Sequence, residues 1–241
     1  MTNTYIAVDL ETTGLDPKMD KIMEIGAVKV EEGRITDTYG RLVDPRRQLE
    51  ERTTALTGIT DAMLEGAPGI ENVIGDLIDF CGDLPLLGHH VIFDFSFLKR
   101  AAVNHNLKFE REGIDTLKLC RLFMPEEEKK NLSAACDYYQ VSMTDAHRAL
   151  ADAMAAHGLY QKLLHQYGGE TPEAFAAKPL IYKVKKDQPA TKRQKEYLRE
   201  LLKYHRINLS VQIDYLTRSE ASRITDQVIA QYGKYKRGDE R

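Results

Sequence analysis

Residues 5–11 alternate, with Ile6, Val8 and Leu10 set against Tyr5, Ala7, Asp9 and Glu11. A period of two predicts a strand, and it places Asp9 and Glu11 on one face. Thr12-Thr13-Gly14 then turns the chain away. Residues 22–30 and 34–43 predict two further strands, joined as a hairpin through Glu31-Glu32-Gly33. Thr60 is placed to cap a short helix ending before Pro68, and residues 70–81 have helical spacing. Residues 84–87 predict a short buried strand, 94–104 a helix with Asp94 in its first turn, 113–120 a strand and 131–140 a helix. A long helix over 147–167 is stopped by Gly168-Gly169. This order predicts an α/β fold with a mixed sheet flanked by helices.

Beyond residue 167 the pattern changes. Pro172, Pro179, Pro189 and a lysine-rich stretch predict a linker over 168–190. Thr191 is placed as a cap for a helix with the apolar stripe Tyr197, Leu198, Leu201 and Leu202. Thr217-Arg218-Ser219-Glu220 spells a capping box for a second helix running towards Gly233. The expected organisation is a domain over 1–167, a linker over 168–190, a small basic helical module over 191–233 and a charged tail over 234–241. Charge sharpens this division: residues 178–241 carry 16 Lys and Arg against 8 Asp and Glu, whereas residues 1–177 carry 18 against 29. An acidic body draws cations and a basic segment draws polyanions.

No apolar run approaches the roughly 20 residues that span a bilayer, so no membrane association is expected. The first residues read as neither a basic nor an apolar leader. Cys81, Cys120 and Cys136 are odd in number and lack metal-binding spacing, which predicts reduced, buried thiols in a cytoplasmic protein.

Four stretches carry the chemistry: Asp9-Leu10-Glu11-Thr12-Thr13-Gly14, Phe93-Asp94-Phe95-Ser96-Phe97-Leu98, Asp115-Thr116-Leu117 and His147-Arg148-Ala149-Leu150-Ala151-Asp152. A lone D-x-E is expected about once by chance in a chain this acidic; the ordered set is far rarer. Carboxylates that converge on one cleft repel each other unless cations sit between them, which points to Mg²⁺ or Mn²⁺ acting on phosphate. His147 and Asp152 stand five residues apart, roughly 140° around a helix. They share a site only if His147 lies on the loop or first turn leading into the helix, with Thr144 or Asp145 as its cap.

The set resembles the DEDD exonucleases of the histidine branch, the DnaQ-like group that includes the proofreading epsilon subunits of bacterial replicases. The resemblance covers residues 4–167 and implies a ribonuclease-H-like fold with a five-stranded mixed sheet. It implies a pair of divalent cations, Mg²⁺ or Mn²⁺, held by Asp9, Glu11, Asp94 and Asp152. His147 is implied as the base, a role that suits an imidazole of ordinary pKa about 6.5. Thr12, Thr13, Gly14, Leu15 and His90 are expected to meet the substrate strand. Two departures lie near that strand: Gly88-His89-His90, where relatives often have Asn after Gly-His, and Thr57-Gly58-Ile59, where some carry His before the Gly-Ile turn. The implied activity is 3′→5′ hydrolysis of DNA to nucleoside 5′-monophosphates in proofreading or repair, with a DNA polymerase subunit as a partner. RNA remains open as a substrate because the 2′-hydroxyl is sensed by local shape. An inactive binding subunit would be favoured by a missing carboxylate, and none is missing.

Overall fold

The computed structural model describes residues 2–143 and 147–234. Contacts divide it into two units, one of residues 1–45 and 50–184 and a second of residues 46–49 with the chain from Lys185 onward.

The first unit is built on a six-stranded mixed sheet in the order β3-β2-β1-β4-β5-β6. Strands β1 (Tyr5–Thr12), β2 (Ile22–Glu31) and β3 (Arg34–Leu42) form an antiparallel meander. Its tight turn uses Glu32 and Gly33, both at positive φ. Strand β4 (Leu86–Gly88) then pairs parallel to β1, and β5 (Glu112–Asp115) pairs parallel to β4. The sixth strand, β6 (Lys178–Pro179), is antiparallel to β5 and lies in the stretch expected as linker. Phe175, just before it, is buried in the same core as Tyr160. Within this stretch Phe175 packs into one core of the first unit and Leu180 and Tyr182 against the other, whereas Ile181 is exposed.

Parity along β1 decides which side chain goes where. Ile6, Val8 and Leu10 enter an apolar core shared with α3 (Ile74–Cys81) and α4 (Ile92–Asn104). Tyr5 and Ala7 enter the opposite core, shared with α5 (Thr116–Phe123), α6 (Leu132–Tyr138) and α7 (Ala149–Tyr167). Asp9 and Glu11 share the parity of Tyr5 and Ala7, so they face the side on which α7 begins. Small residues let this helix approach closely: Ala149, Ala153, Ala155 and Ala156 are buried. The backbone of Ala149 lies so near Gly26 that a Cβ there would fall 2.1 Å from its carbonyl carbon.

Three expectations change in detail. Residues 116–120 are helical rather than extended, because the Asp115 side chain accepts from the Leu117 N–H and caps α5. Residues 70–72 form a 3₁₀ turn and α3 begins only at Ile74. An unforeseen helix, α1 (Glu51–Thr57), ends at Gly58 in the left-handed conformation, and α2 (Asp61–Leu64) follows the Thr60 cap.

The second unit holds α8 (Lys192–His205) and α9 (Arg218–Tyr232), each opened by a two-way capping box, Thr191 with Gln194 and Thr217 with Glu220. Leu198, Leu201, Leu202, Leu216 and Val228 form its core. Residues 46–49 are threaded into it: Gln48 donates to the Ser210 carbonyl, Gln212 donates to that of Arg46, and Arg47 pairs with buried Glu220 at 3.6 Å. Among the described residues no helix is long and apolar enough to cross a membrane. All three cysteines are buried and free.

Candidate active site

Three of the expected residues meet directly. Ligand atoms of Glu11, His147 and Asp152 all lie within 4.8 Å of one another. Glu11 comes from the end of β1, Asp152 from the first turn of α7 and His147 from the loop before that helix. His147 has φ +68° and stands two residues before the helix starts, which resolves the 140° separation on an ideal helix. Its backbone N–H donates to Asp152 Oδ2 at 3.3 Å, so loop and helix are tied at the site itself. The N-cap position of α7 is Arg148, which makes no side-chain cap hydrogen bond; Thr144 and Asp145, the expected caps, lie outside the described residues.

Asp9 and Asp94 stand beside this trio. Asp94 lies in the first turn of α4 and is 3% exposed. Loss of water raises the Asp94 carboxyl well above its ordinary range, against backbone hydrogen bonds at Asp94 and Leu10 that lower it. Desolvation also raises Asp9 strongly, and the charges of Asp94, Asp152, Glu11 and Glu24 add to this. Glu11 is pushed up to about 7, first by burial and then by Asp152 and Glu24, while Arg148 opposes. Asp152 is raised by burial, although His147 lowers it. Burial first, and the neighbouring carboxylates after it, thus raise all four carboxyls.

That arrangement fits a divalent cation. Carboxylate oxygens are the donors that suit Mg²⁺ or Mn²⁺. Asp152 Oδ1 is buried and has no hydrogen-bond partner, an acceptor whose cost of burial a cation would remove.

The residues expected to meet substrate are spread around the same strand ends. Thr12 donates to the Gly14 carbonyl at 2.7 Å, and the Thr13 N–H is committed to the Lys21 carbonyl. A Cβ at Gly14 would strike the Asp20 carboxylate at 2.5 Å. Leu15 is 84% exposed just past this turn. His90 is exposed at φ +77°, and its N–H donates to Asp115 Oδ1. His89 bonds to the Thr116 hydroxyl and the Lys130 carbonyl instead, so it fastens β4 to its neighbours. Asp115 likewise acts as a fastener, accepting from His90 and Leu117.

Two residues beyond the expected set complete the geometry. Glu24, buried on β2, lies opposite Glu11 in the strand register. It accepts from Arg148 Nε at 3.1 Å, from an Arg148 terminal nitrogen at 2.7 Å and from the Ala149 N–H at 3.1 Å. This forked pair pins the chain next to His147. The signal in the sequence is a lone acid within the apolar run Ile22-Met23-Glu24-Ile25.

Carboxylates and an imidazole gathered beside the strand ends of a mixed sheet form a group that could hold a divalent cation. The chain belongs to the exonuclease family: residues 6–160 match the RNase_T profile, described as exonuclease. It is 35% identical over 167 residues to the DNA polymerase III subunit epsilon of Aquifex aeolicus, covering 69% of this chain and 83% of that one. It is 39% identical over 164 residues to the PolC-type DNA polymerase III of Bacillus subtilis, covering 67% of this chain but only 11% of that relative's length. Among solved structures, exonuclease X in complex with 5′ overhanging duplex DNA superposes with a TM-score of 0.56 at 29% identity, covering 71% of this chain and 96% of that one. A zinc-bound E. coli exonuclease I–single-stranded DNA complex gives a TM-score of 0.62 at 16% identity over 72% of this chain and 42% of that one, a likeness of fold.

Proposed function

We propose that the protein removes nucleotides one at a time from the 3′ end of DNA, single-stranded or frayed, releasing nucleoside 5′-monophosphates. The observation that carries this reading is the meeting of Glu11, His147 and Asp152 within 4.8 Å, beside Asp9 and Asp94, in a chain of the exonuclease family. Asp9, Glu11, Asp94 and Asp152 would hold a pair of Mg²⁺ or Mn²⁺ ions. Such ions, when bound, activate water and stabilise charge on the phosphate. His147 takes the proton from the attacking water at a ring nitrogen, held there by its loop and by the bond to Asp152. Glu24 and Arg148 fix that loop. The turn at Thr12, Thr13 and Gly14 meets the terminal 3′-hydroxyl, with Leu15 and His90 against the last nucleotides. The relatives' names, an epsilon subunit and PolC-type polymerases, support a proofreading or repair role beside a DNA polymerase in the cytoplasm.

The test is degradation of 5′-labelled single-stranded DNA, mismatched duplex and RNA of matched sequence, each with Mg²⁺, Mn²⁺ or EDTA. The reading expects loss of the DNA strands from the 3′ end with either cation and none in EDTA. RNA degraded faster than DNA would reassign the substrate. Activity that survives EDTA would overturn the cation centre.

A further inference from the structure

We propose that one face of α8 is a seat for the phosphate backbone of duplex DNA, held without regard to base sequence. Lys192, Lys195, Arg199 and Lys203 recur at steps of three and four residues, which sets them within an arc of about 80° around the helix. Arg206, the residue that ends the helix, extends the row to about 20 Å. Leu198, Leu201 and Leu202 occupy the neighbouring arc and face the unit's core. The two acids of α8, Glu196 and Glu200, fall beyond the other side of the row, about 40° and 80° from Lys192. Lys192, Arg199, Lys203 and Arg206 are exposed. Like charges one turn apart repel one another, so the row costs the fold stability unless an anion lies along it.

The helix's own electrostatics explain only one end of this row. Lys203 and Arg206 sit at the negative C-terminus, where cations are favoured. Lys192, Arg193 and Lys195 stand in or next to the first turn, where the dipole opposes them, and no acid is there to balance them. Helix α9 follows the usual rule, with Glu220 in its first turn. Among the described residues two acids touch the row. Glu196 lies 3.8 Å from Lys192. The Asp214 carboxylate accepts from Arg199 at 2.6 Å, and its main-chain carbonyl accepts from Lys195 at 2.7 Å. Both ion pairs stand in water, where they are weak and exchangeable, and the five cations keep an excess of three. A straight row with axial steps of about 4.5–6 Å fits a regular polyanion. Duplex DNA carries one charge about every 1.7 Å, twice the density of a single strand, and releases counterions when cations replace them. No residue of the row is aromatic, so nothing in it selects unstacked bases. The choice of DNA among polyanions rests on the exonuclease reading above; the seat itself rests on α8.

Binding is read in EDTA, apart from hydrolysis, so failure here and failure of the catalytic reading are separate results. Fluorescence anisotropy of a labelled blunt duplex of about 20 base pairs, and of single-stranded oligothymidylate of equal length, would be followed with the full-length protein over about 50–200 mM salt. Wild type is expected to bind the duplex more tightly. Lys192→Gln and Lys203→Gln should each weaken duplex binding about five- to tenfold at about 0.1 M salt and flatten its salt dependence by a slope of about 0.9. Asp214→Asn, which releases the Arg199 guanidinium, should tighten binding and steepen the slope by about the same amount. Lys162→Gln, an equal loss of charge late on α7, should change neither. Melting curves show that each variant is folded. A folded Lys192→Gln/Lys203→Gln protein with wild-type affinity and slope overturns the proposal and leaves the row to an acidic protein partner. Single strand bound as tightly as duplex overturns it as well.

Discussion

Glu11→Gln is expected to stabilise the cation-free protein at pH 8 and to change little at pH 5. In the fold the Glu11 carboxyl is pushed from 4.5 up to about 7, chiefly by burial and then by the charges of Asp152 and Glu24. A raised carboxyl favours the protonated form in the fold. Its contribution to stability is therefore complete below about pH 4.5 and is lost as pH rises through about 7. At about 1.4 kcal/mol per pKa unit, the rise sets a ceiling of about 3 kcal/mol. Partial exposure of Glu11 reduces this to about 1–2 kcal/mol. Gln keeps the shape and removes the charge, so the first unit should melt about 2–8 °C higher at pH 8 in EDTA. Calorimetry of wild type and variant at both pH values is the assay. Saturating Mg²⁺ should reverse the order, because the cation stabilises the wild-type carboxylates and gains less from Gln. A variant less stable than wild type at pH 8 in EDTA, or equally stabilised at both pH values, would refute the account of charge repulsion.

His147→Ala should lower kcat by about 10²–10⁴-fold while Mn²⁺ affinity, followed by calorimetric titration, stays near wild type; weakened Mn²⁺ binding with normal turnover at saturation would make His147 a ligand instead. Glu24→Gln or Arg148→Ala should lower kcat more than it raises KM, and the double variant should be no worse than the poorer single one, since both act through the His147 loop; additive losses would count against a shared role. Gly26→Ala should destabilise the first unit by about 1–3 kcal/mol or more, measured by urea unfolding, because α7 must move off β2; an unchanged midpoint would mean that α7 yields freely.

What the sequence could reveal depended on how local the cause was. Alternation over residues 5–11 suffices to place Asp9 and Glu11 on one face, because strand parity needs no partner. If His147 and Asp152 are to share a site, their five-residue step requires His147 to lie on the loop or first turn leading into the helix. Capping boxes at Thr191 and Thr217 are equally local. Residues 116–120 misled, since Leu117, Leu119 and Cys120 read as a strand until the Asp115 cap is counted. The pairing of Lys178–Pro179 with β5 has no signature in a two-residue stretch ending in proline. Glu24 with Arg148 spans 124 residues, and the threading of residues 46–49 into the second unit joins still more distant parts. Such contacts arise only when the sheet and helices are assembled.

The central claim is that the carboxylates around Asp152 hold the cation on which hydrolysis depends. Its most direct measurement compares wild type with Asp152→Ala on 5′-labelled single-stranded DNA at saturating Mg²⁺, with melting curves to show that both are folded. The account predicts a ladder shortening from the 3′ end for wild type and no detectable shortening for the variant. A folded Asp152→Ala protein that still produces the ladder would contradict it.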